Sequence, residues 1–294
     1  MSLKTAITLV AALPATAFAA TPAPVPEVLT GGPWNLHYAN DSCQLAREFG
    51  AGDAAVLLQF QWFKPGDVFQ LVLAGKRFAN RQGSEVQIAF PTAGPPQKLW
   101  AAAGTLTDGQ PALVIQSARL LPSPDPTITE DPATWSAEEP PVGVEVEHQV
   151  NRLGLDEDGK ASLEFRLGSM GSPLQAVRAC LDELVTHWGI DAQGQKTLSA
   201  KPIPLNFPGS WITTGDYPHF ALLQSQQGIV NFRLIVGPDG SPQSCTIQSA
   251  TNPPSFAKVV CDKLMKRARF KPALDKDGNP IASYFASSVR FVIG

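Results

Sequence analysis

Charge is scarce in this chain. Only 17% of its 294 residues are Asp, Glu, Lys or Arg, and 23 basic against 26 acidic side chains leave a net charge of −3. So small a charge gives the whole chain no electrostatic pull toward nucleic acid. No C-x-x-C pair occurs, which removes the ligand pattern of zinc ribbons and thioredoxin-type redox sites. No apolar run reaches the roughly 20 residues of a spanning helix. No G-x-S-x-G occurs either. In Gly168-Ser169-Met170-Gly171-Ser172 the serine directly follows the first glycine, so the stretch reads as a strand-to-helix turn. His37, His148, His187 and His219 fall on separate elements without His-x-x-x-His spacing, and Asp156–Lys160 and Asp275–Gly278 hold only fragments of a calcium loop. No catalytic residue, metal ligand or cofactor is therefore assigned.

Apolar residues and proline are plentiful. A hydrophobic content of 44% argues for a packed core and against wholesale disorder. There are 27 prolines, nearly twice the usual share of about 5%, which favours punctuated strands and linkers over long helices. The length suits one large or two ordinary domains.

The first residues bear on the compartment. Lys4 supplies a positive start, Ala6 to Leu13 an apolar stretch, and Ala17-Phe18-Ala19 an A-x-A cleavage site. Residues 1–19 are expected to be a signal peptide, with export to the periplasm. The competing reading retains the apolar stretch as an inner-membrane anchor. In an oxidising compartment an even number of cysteines points to disulfides. Cys43, Cys180, Cys245 and Cys261 allow three connectivities. Placement along the chain favours Cys43–Cys180 and Cys245–Cys261.

Residues 20–33 read as a Pro-rich, extended and mobile leader. A β-rich domain is expected over 34–192, with strands at Ala55–Trp62, Val68–Leu73, Glu85–Phe90, Leu113–Leu121, Val142–Val150 and Ser162–Leu167. The Val142–Val150 stretch alternates Val142, Val144 and Val146 with Gly143, Glu145 and Glu147, as in a half-solvated strand. The interval Pro122–Pro141 is a proline- and acid-rich loop, barred from a central ladder. One late helix, Ser172 to Trp188, carries an apolar stripe of Leu174, Val177, Leu181, Leu184 and Val185, with Ser172 as its cap and Gly189 as its stop. Residues 193–209 form a linker.

Over 210–294 the order is strand, strand, helix, strand. Ile229–Val236 places Val230, Phe232, Leu234 and Val236 on one face, and Asn231 and Arg233 on the other. Gly237-Pro238-Asp239-Gly240 turns into a strand at Ser244–Gln248. A helix capped by Ser255 runs to about Ala268, with Phe256, Val260 and Leu264 inward. Lys258, Lys263, Lys266, Arg267, Arg269 and Lys271 read as a solvated face whose cations favour the helix end. Pro272 stops the helix, and Ile281–Ile293 is the last strand.

These residues resemble the C-terminal domain of the TonB family. The matching set, in order, is Asp216-Tyr217-Pro218, Gly228 through Val236, Asp239-Gly240, Arg269-Phe270-Lys271-Pro272-Ala273, Gly278-Asn279-Pro280-Ile281 and Val289-Arg290-Phe291. The resemblance implies a periplasmic module that, in energy-transducing members, engages the TonB box of outer-membrane receptors by strand addition. The edge it implies here is the last strand, with Tyr284, Ser287, Ser288, Val289, Arg290 and Phe291 as partner-binding residues. Two features depart from energy-transducing members. The N-terminal segment reads as cleavable, and a folded domain stands where they carry a long Pro-rich spacer.

The expected fold class is α+β: a β-rich domain with one late helix, then a small ββαβ domain. The expected function is non-enzymatic binding of an extended peptide from an outer-membrane receptor or another envelope protein. Two alternatives stay open. One is an envelope enzyme or inhibitor with a deep polar pocket between the early strands and the 172–188 helix. The other is a membrane-anchored energy transducer. N-terminal sequencing of protein recovered from the cell envelope is expected to begin at Ala20; a terminus at Met1 would restore the anchored reading.

Overall fold

A computed structural model describes residues 26–122, 141–157, 162–251 and 253–293. Residues 1–19, expected as a signal peptide, the start of the expected leader, the interior of the acidic Pro122–Pro141 interval and Asp158–Lys160 lie outside the described residues.

Among the described residues the first half builds ten strands and two α-helices. These are β1 (Glu27–Thr30), β2 (Asn35–Ala39), β3 (Ser42–Phe49), β4 (Val56–Trp62), β5 (Phe69–Ala74), β6 (Ser84–Ala89), β7 (Gln97–Thr105), β8 (Pro111–Ala118), α1 (Val144–Gln149), β9 (Arg152–Asp156), β10 (Ser162–Arg166) and α2 (Gly171–His187). The strands form one sheet in the order β1-β10-β9-β6-β7-β8-β5-β4-β3-β2. Alternation sends Leu58 and Phe60 of β4, Phe69, Leu71 and Leu73 of β5, and Leu113 and Ile115 of β8 into one core. The sheet rolls until β1 meets β3. Gly31 bridges Phe49, and Arg47 donates to the carbonyls of Gly31 (2.7 Å) and Leu167 (2.6 Å) across that seam. Helix α2 lays Leu174, Val177, Leu181 and Leu184 on the interior, and the Cys43–Cys180 disulfide fastens it to β3. Gly189, at φ 78°, then turns the chain away.

Three expectations fail in this half. Val142–Val150 is mostly the short helix α1, not a strand. Alternating valines fit either reading, but Glu147 is buried and meets Arg178 of α2 at 2.6 and 2.8 Å, which a single helical turn permits. The late helix is thus not alone. Residues 27–30, expected as mobile leader, form β1 in parallel with β10, with Leu29 in the core. Ser172 does not cap α2; Met170 occupies the cap position without a side-chain bond.

The remaining elements are α3 (Ala192–Lys196), β11 (Ile203–Pro204), α4 (His219–Leu223), β12 (Gly228–Val236), β13 (Pro242–Ala250), α5 (Pro254–Arg267), β14 (Phe270–Lys271), β15 (Ala273–Leu274), β16 (Pro280–Ile281) and β17 (Ser283–Phe291). Strands β13, β12 and β17 form an antiparallel sheet with β12 central. Phe256, Val260 and Leu264 of α5 cover Val230, Phe232, Leu234 and Val236, and the Cys245–Cys261 disulfide ties β13 to α5. Pro253, rather than Ser255, is the N-cap of α5. The linker is built into this unit: β11 pairs with β14, and Asn206 donates to the Arg267 carbonyl while accepting from the Trp211 indole.

The opposite face of β12 is covered too. Ile229 packs on Ala102 and Val114, and Ile235 packs in a cluster with Val185 and Trp188. Between them Asn231 donates to Gln70 at 3.0 Å. Arg233 pairs with Asp41 at 2.8 Å, with its guanidinium 4.4 Å from the Trp188 ring. Gln248 of β13 reaches the carbonyls of Asp41 (3.1 Å) and Phe63 (2.6 Å). The two sheets therefore stack face to face through a polar centre flanked by apolar contacts; the Asn231 amide, the Arg233 guanidinium terminus and the Gln248 amide N–H find partners across it, whereas Arg233 Nε, Gln248 Oε1 and the Trp188 indole N–H do not. Arg233→Ala is expected to lower unfolding stability by about 3 kcal/mol, because it strands Asp41 and empties the Trp188 face. Urea denaturation checks this against Lys258→Ala, an exposed pair that should leave the midpoint unchanged.

Candidate functional site

The three-stranded sheet has two outer edges. Strand β13 is irregular: its register against β12 shifts between Asn231 and Phe232 and again between Ile235 and Val236, and it opens on Pro242. Bulges and proline blunt an edge. Strand β17 is regular, pairing with β12 from Ser283 opposite Val236 to Phe291 opposite Gly228 without a shift.

Main-chain directions follow from one bond. The Ile229 carbonyl accepts from the Thr251 amide on the β13 side. In an antiparallel ladder successive residues turn their N–H and C=O to opposite sides. Val230, Phe232 and Leu234 therefore bond toward β17, to Val289, Ser287 and Phe285. Tyr284, Ala286, Ser288 and Arg290 are left with their main-chain groups on the outer side. Among the described residues no strand occupies that side.

The six residues expected to bind a partner separate accordingly. Phe291 stacks on Phe256 at 4.1 Å and Val289 packs into the same core, so both side chains are structural. Tyr284 meets Trp188 edge-on at 5.0 Å, and burial pushes its phenol up to about 12. Ser287 and Arg290 are exposed and Ser288 is half-buried. The Arg290 guanidinium lies 5.4 Å from the Trp100 ring. Ala286 was absent from the expected set because its small side chain carries no signal; its outward main chain puts it on the edge.

The rolled sheet's side of the molecule covers one end of β17. Gln195 donates to the Ala282 carbonyl at 3.3 Å and accepts from the Ser283 hydroxyl at 2.5 Å. Lys64, in the loop between β4 and β5, donates to the Ala286 carbonyl at 3.0 Å. The residue as a whole is exposed. Burial, and then the nearby charge of Lys201, hold its pKa below the ordinary lysine value.

A second constellation supports the sheet from behind. The Asp216 carboxylate, 5% exposed, accepts from Arg267 at 2.5 and 3.2 Å, and from the Thr213 N–H at 2.9 Å and its hydroxyl at 2.8 Å. Lys263 pairs with it at 2.8 Å. Arg267 is the main cause that holds this carboxyl far below its ordinary value, with Lys263 and Thr213 adding to it. Tyr217 sits edge-on to both Phe256 and Phe291, and its hydroxyl donates to the Gln226 carbonyl. Asp216-Tyr217 thus clamps the entry of the sheet to the last turns of α5. Two cations of the basic cluster expected as a solvated face, Lys263 and Arg267, are engaged in that clamp.

Residues 214–293 match the family model of the Gram-negative bacterial TonB protein C-terminal. The match takes in Asp216-Tyr217-Pro218, α4 and everything from β12 to β17. No curated protein and no solved structure matches the chain.

Ahead of the segment that this family model matches, the space between α2 and the rolled sheet is filled. Trp62, Phe69, Leu174, Val177 and Leu181 line a cavity of only about 30 Å³, with Glu147 and Arg178 beside it. Ligand pockets start near ~300 Å³. The histidines stand apart, on β2, α1, α2 and α4.

Because the Asp216 carboxyl is held below its ordinary 3.8, its stabilisation is complete above that value and is lost as pH falls toward its lower folded value. Asp216→Asn is expected to cost about 2 kcal/mol at pH 7, a figure discounted for the one-third exposure of Lys263 and Arg267. Denaturation at pH 7 and pH 3 checks the sign: the gap between wild type and variant should narrow in acid.

Proposed function

We propose that this protein is an exported, periplasmic, non-enzymatic TonB-family protein that binds an extended peptide by adding it as a strand to β17. The peptide would come from an outer-membrane receptor or another envelope protein. The observation that carries the reading is the outer side of β17, a regular strand of nine residues whose outward main-chain groups at Ser288 and Arg290 pair with no strand among the described residues. Main-chain pairing gives such an addition its affinity, and side chains beside the edge give selectivity. Ser287, Ser288 and Arg290 are the exposed or half-buried side chains beside that edge.

Other features support the surrounding reading. The two disulfides suit an oxidising compartment, as the leader sequence does. Among the described residues no helix is long and apolar enough to cross a membrane. The filled space behind α2 offers little room for a small-molecule substrate.

Titrating the isotope-labelled full chain with a TonB-box peptide tests the proposal. The largest amide shifts are expected at Ser288 and Arg290; shifts confined to α5, with β17 silent, would sink strand addition. Proline substitution supplies a second check. Ser288→Pro removes an outward N–H and should weaken peptide binding at least about tenfold with the fold intact. Ser287→Pro removes a bond to β12 and should destabilise the sheet itself.

A further inference from the structure

Lys64 stands in the way of an added strand. Its amine holds the Ala286 carbonyl, an acceptor that an incoming strand needs at the middle of the edge. The contact joins residues 222 positions apart, from the rolled sheet to the TonB C-terminal segment. Toward the start of β17, Gln195 and Trp188 cover Ser283 and Tyr284. Toward its end, Ser288 and Arg290 remain open, about 7 and 14 Å further along the strand.

Two cationic side chains, Lys64 and Arg290, stand beside this edge. The ion pairs among the described residues leave Lys64 and Arg290 without a carboxylate partner. Lys201 lies near enough to oppose the charge on Lys64. A neutral strand that displaced the Lys64 amine would take the protein carbonyl it holds and offer it no charged acceptor in return. A strand carrying a carboxylate opposite Ala286 would give the amine a stronger acceptor than the carbonyl it lost.

We propose that Lys64 is a latch across the β17 edge, and that the segment which opens it is an extended acidic peptide. The proposal rests on the strand-addition reading above. Pairing starts at Ser288 and Arg290, and it reaches Ala286 only when the peptide carboxylate takes over the Lys64 amine. The rolled sheet thereby decides which extended segments gain the full edge.

Two synthetic peptides test this on the full chain by calorimetry: one alternates Thr and Val around a central Glu, the other has Gln in its place. Wild type should bind the Glu peptide about fivefold more tightly than the Gln peptide. Lys64→Met should abolish that preference and bind the Gln peptide about fivefold more tightly than wild type does. Lys64→Gln, shorter and neutral but still polar, should move in the same direction and carries the test if the apolar variant unfolds. Gln-peptide affinity that is unchanged or lower in both variants overturns the latch and leaves strand addition standing. Failure of both peptides to bind any of the proteins overturns the latch together with strand addition.

Discussion

Strand β12 has to lie in two cores at once, and the rest of the molecule is arranged around that requirement. Val230, Phe232, Leu234 and Val236 fill the space under α5, while Ile229, Asn231, Arg233 and Ile235 face the rolled sheet. A strand's side chains alternate with a period of two, so a slip of one residue would exchange the two sets. Phe232 would then meet Asp41, and Arg233 would enter the apolar core. Neither unit tolerates that, so β12 has a single register. Because β17 pairs with β12 without a shift, the same constraint fixes which residues of β17 face outward. The position of Ala286 under Lys64 is a downstream result of where Arg233 finds Asp41.

The family match begins at Thr214, but the physical unit begins earlier. Ser199 and Ala200 already bond Leu274, and β11 pairs with β14 before the match starts. Trp211, also ahead of it, is buried against Phe270 and Phe285. The linker between the two sheets is thus bound to the second of them. The tip of the β12–β13 hairpin is fixed to the same strip. Gly240 adopts φ 79°, where a Cβ would collide with the Phe270 carbonyl, and its own carbonyl accepts the Phe270 N–H.

Much of the second unit was legible in the sequence because its signals are local. The alternation of Ile229–Val236, the Asp239-Gly240 turn and the apolar stripe of α5 each announce an element without help from afar. The Asp-Tyr-Pro motif was legible as a family feature, but not its role, since the clamp needs Lys263 and Arg267 from a helix about 50 residues away. In the first unit the failures share a cause. Strand β1 exists because Leu29 finds a place beside β10, and α1 exists because Glu147 finds Arg178; nothing within either segment encodes its partner. The candidate edge was legible as a strand. Which of its amides face outward was not, because that depends on one pairing, Ile229 with Thr251, across the neighbouring strand.

The stacking of the two sheets also sets how the molecule would bear load. A peptide paired along β17 and drawn lengthwise would load the β17–β12 bonds in shear, together rather than one after another. From β12 the load has short routes onward: through Asn231 to Gln70 of β5, through Arg233 to the β2–β3 turn, and through α2 to the Cys43–Cys180 link. The three-stranded sheet is therefore braced along its whole face by the ten-stranded roll. Tension applied at its edge would be shared with the ten-stranded sheet instead of falling on the three-stranded sheet alone.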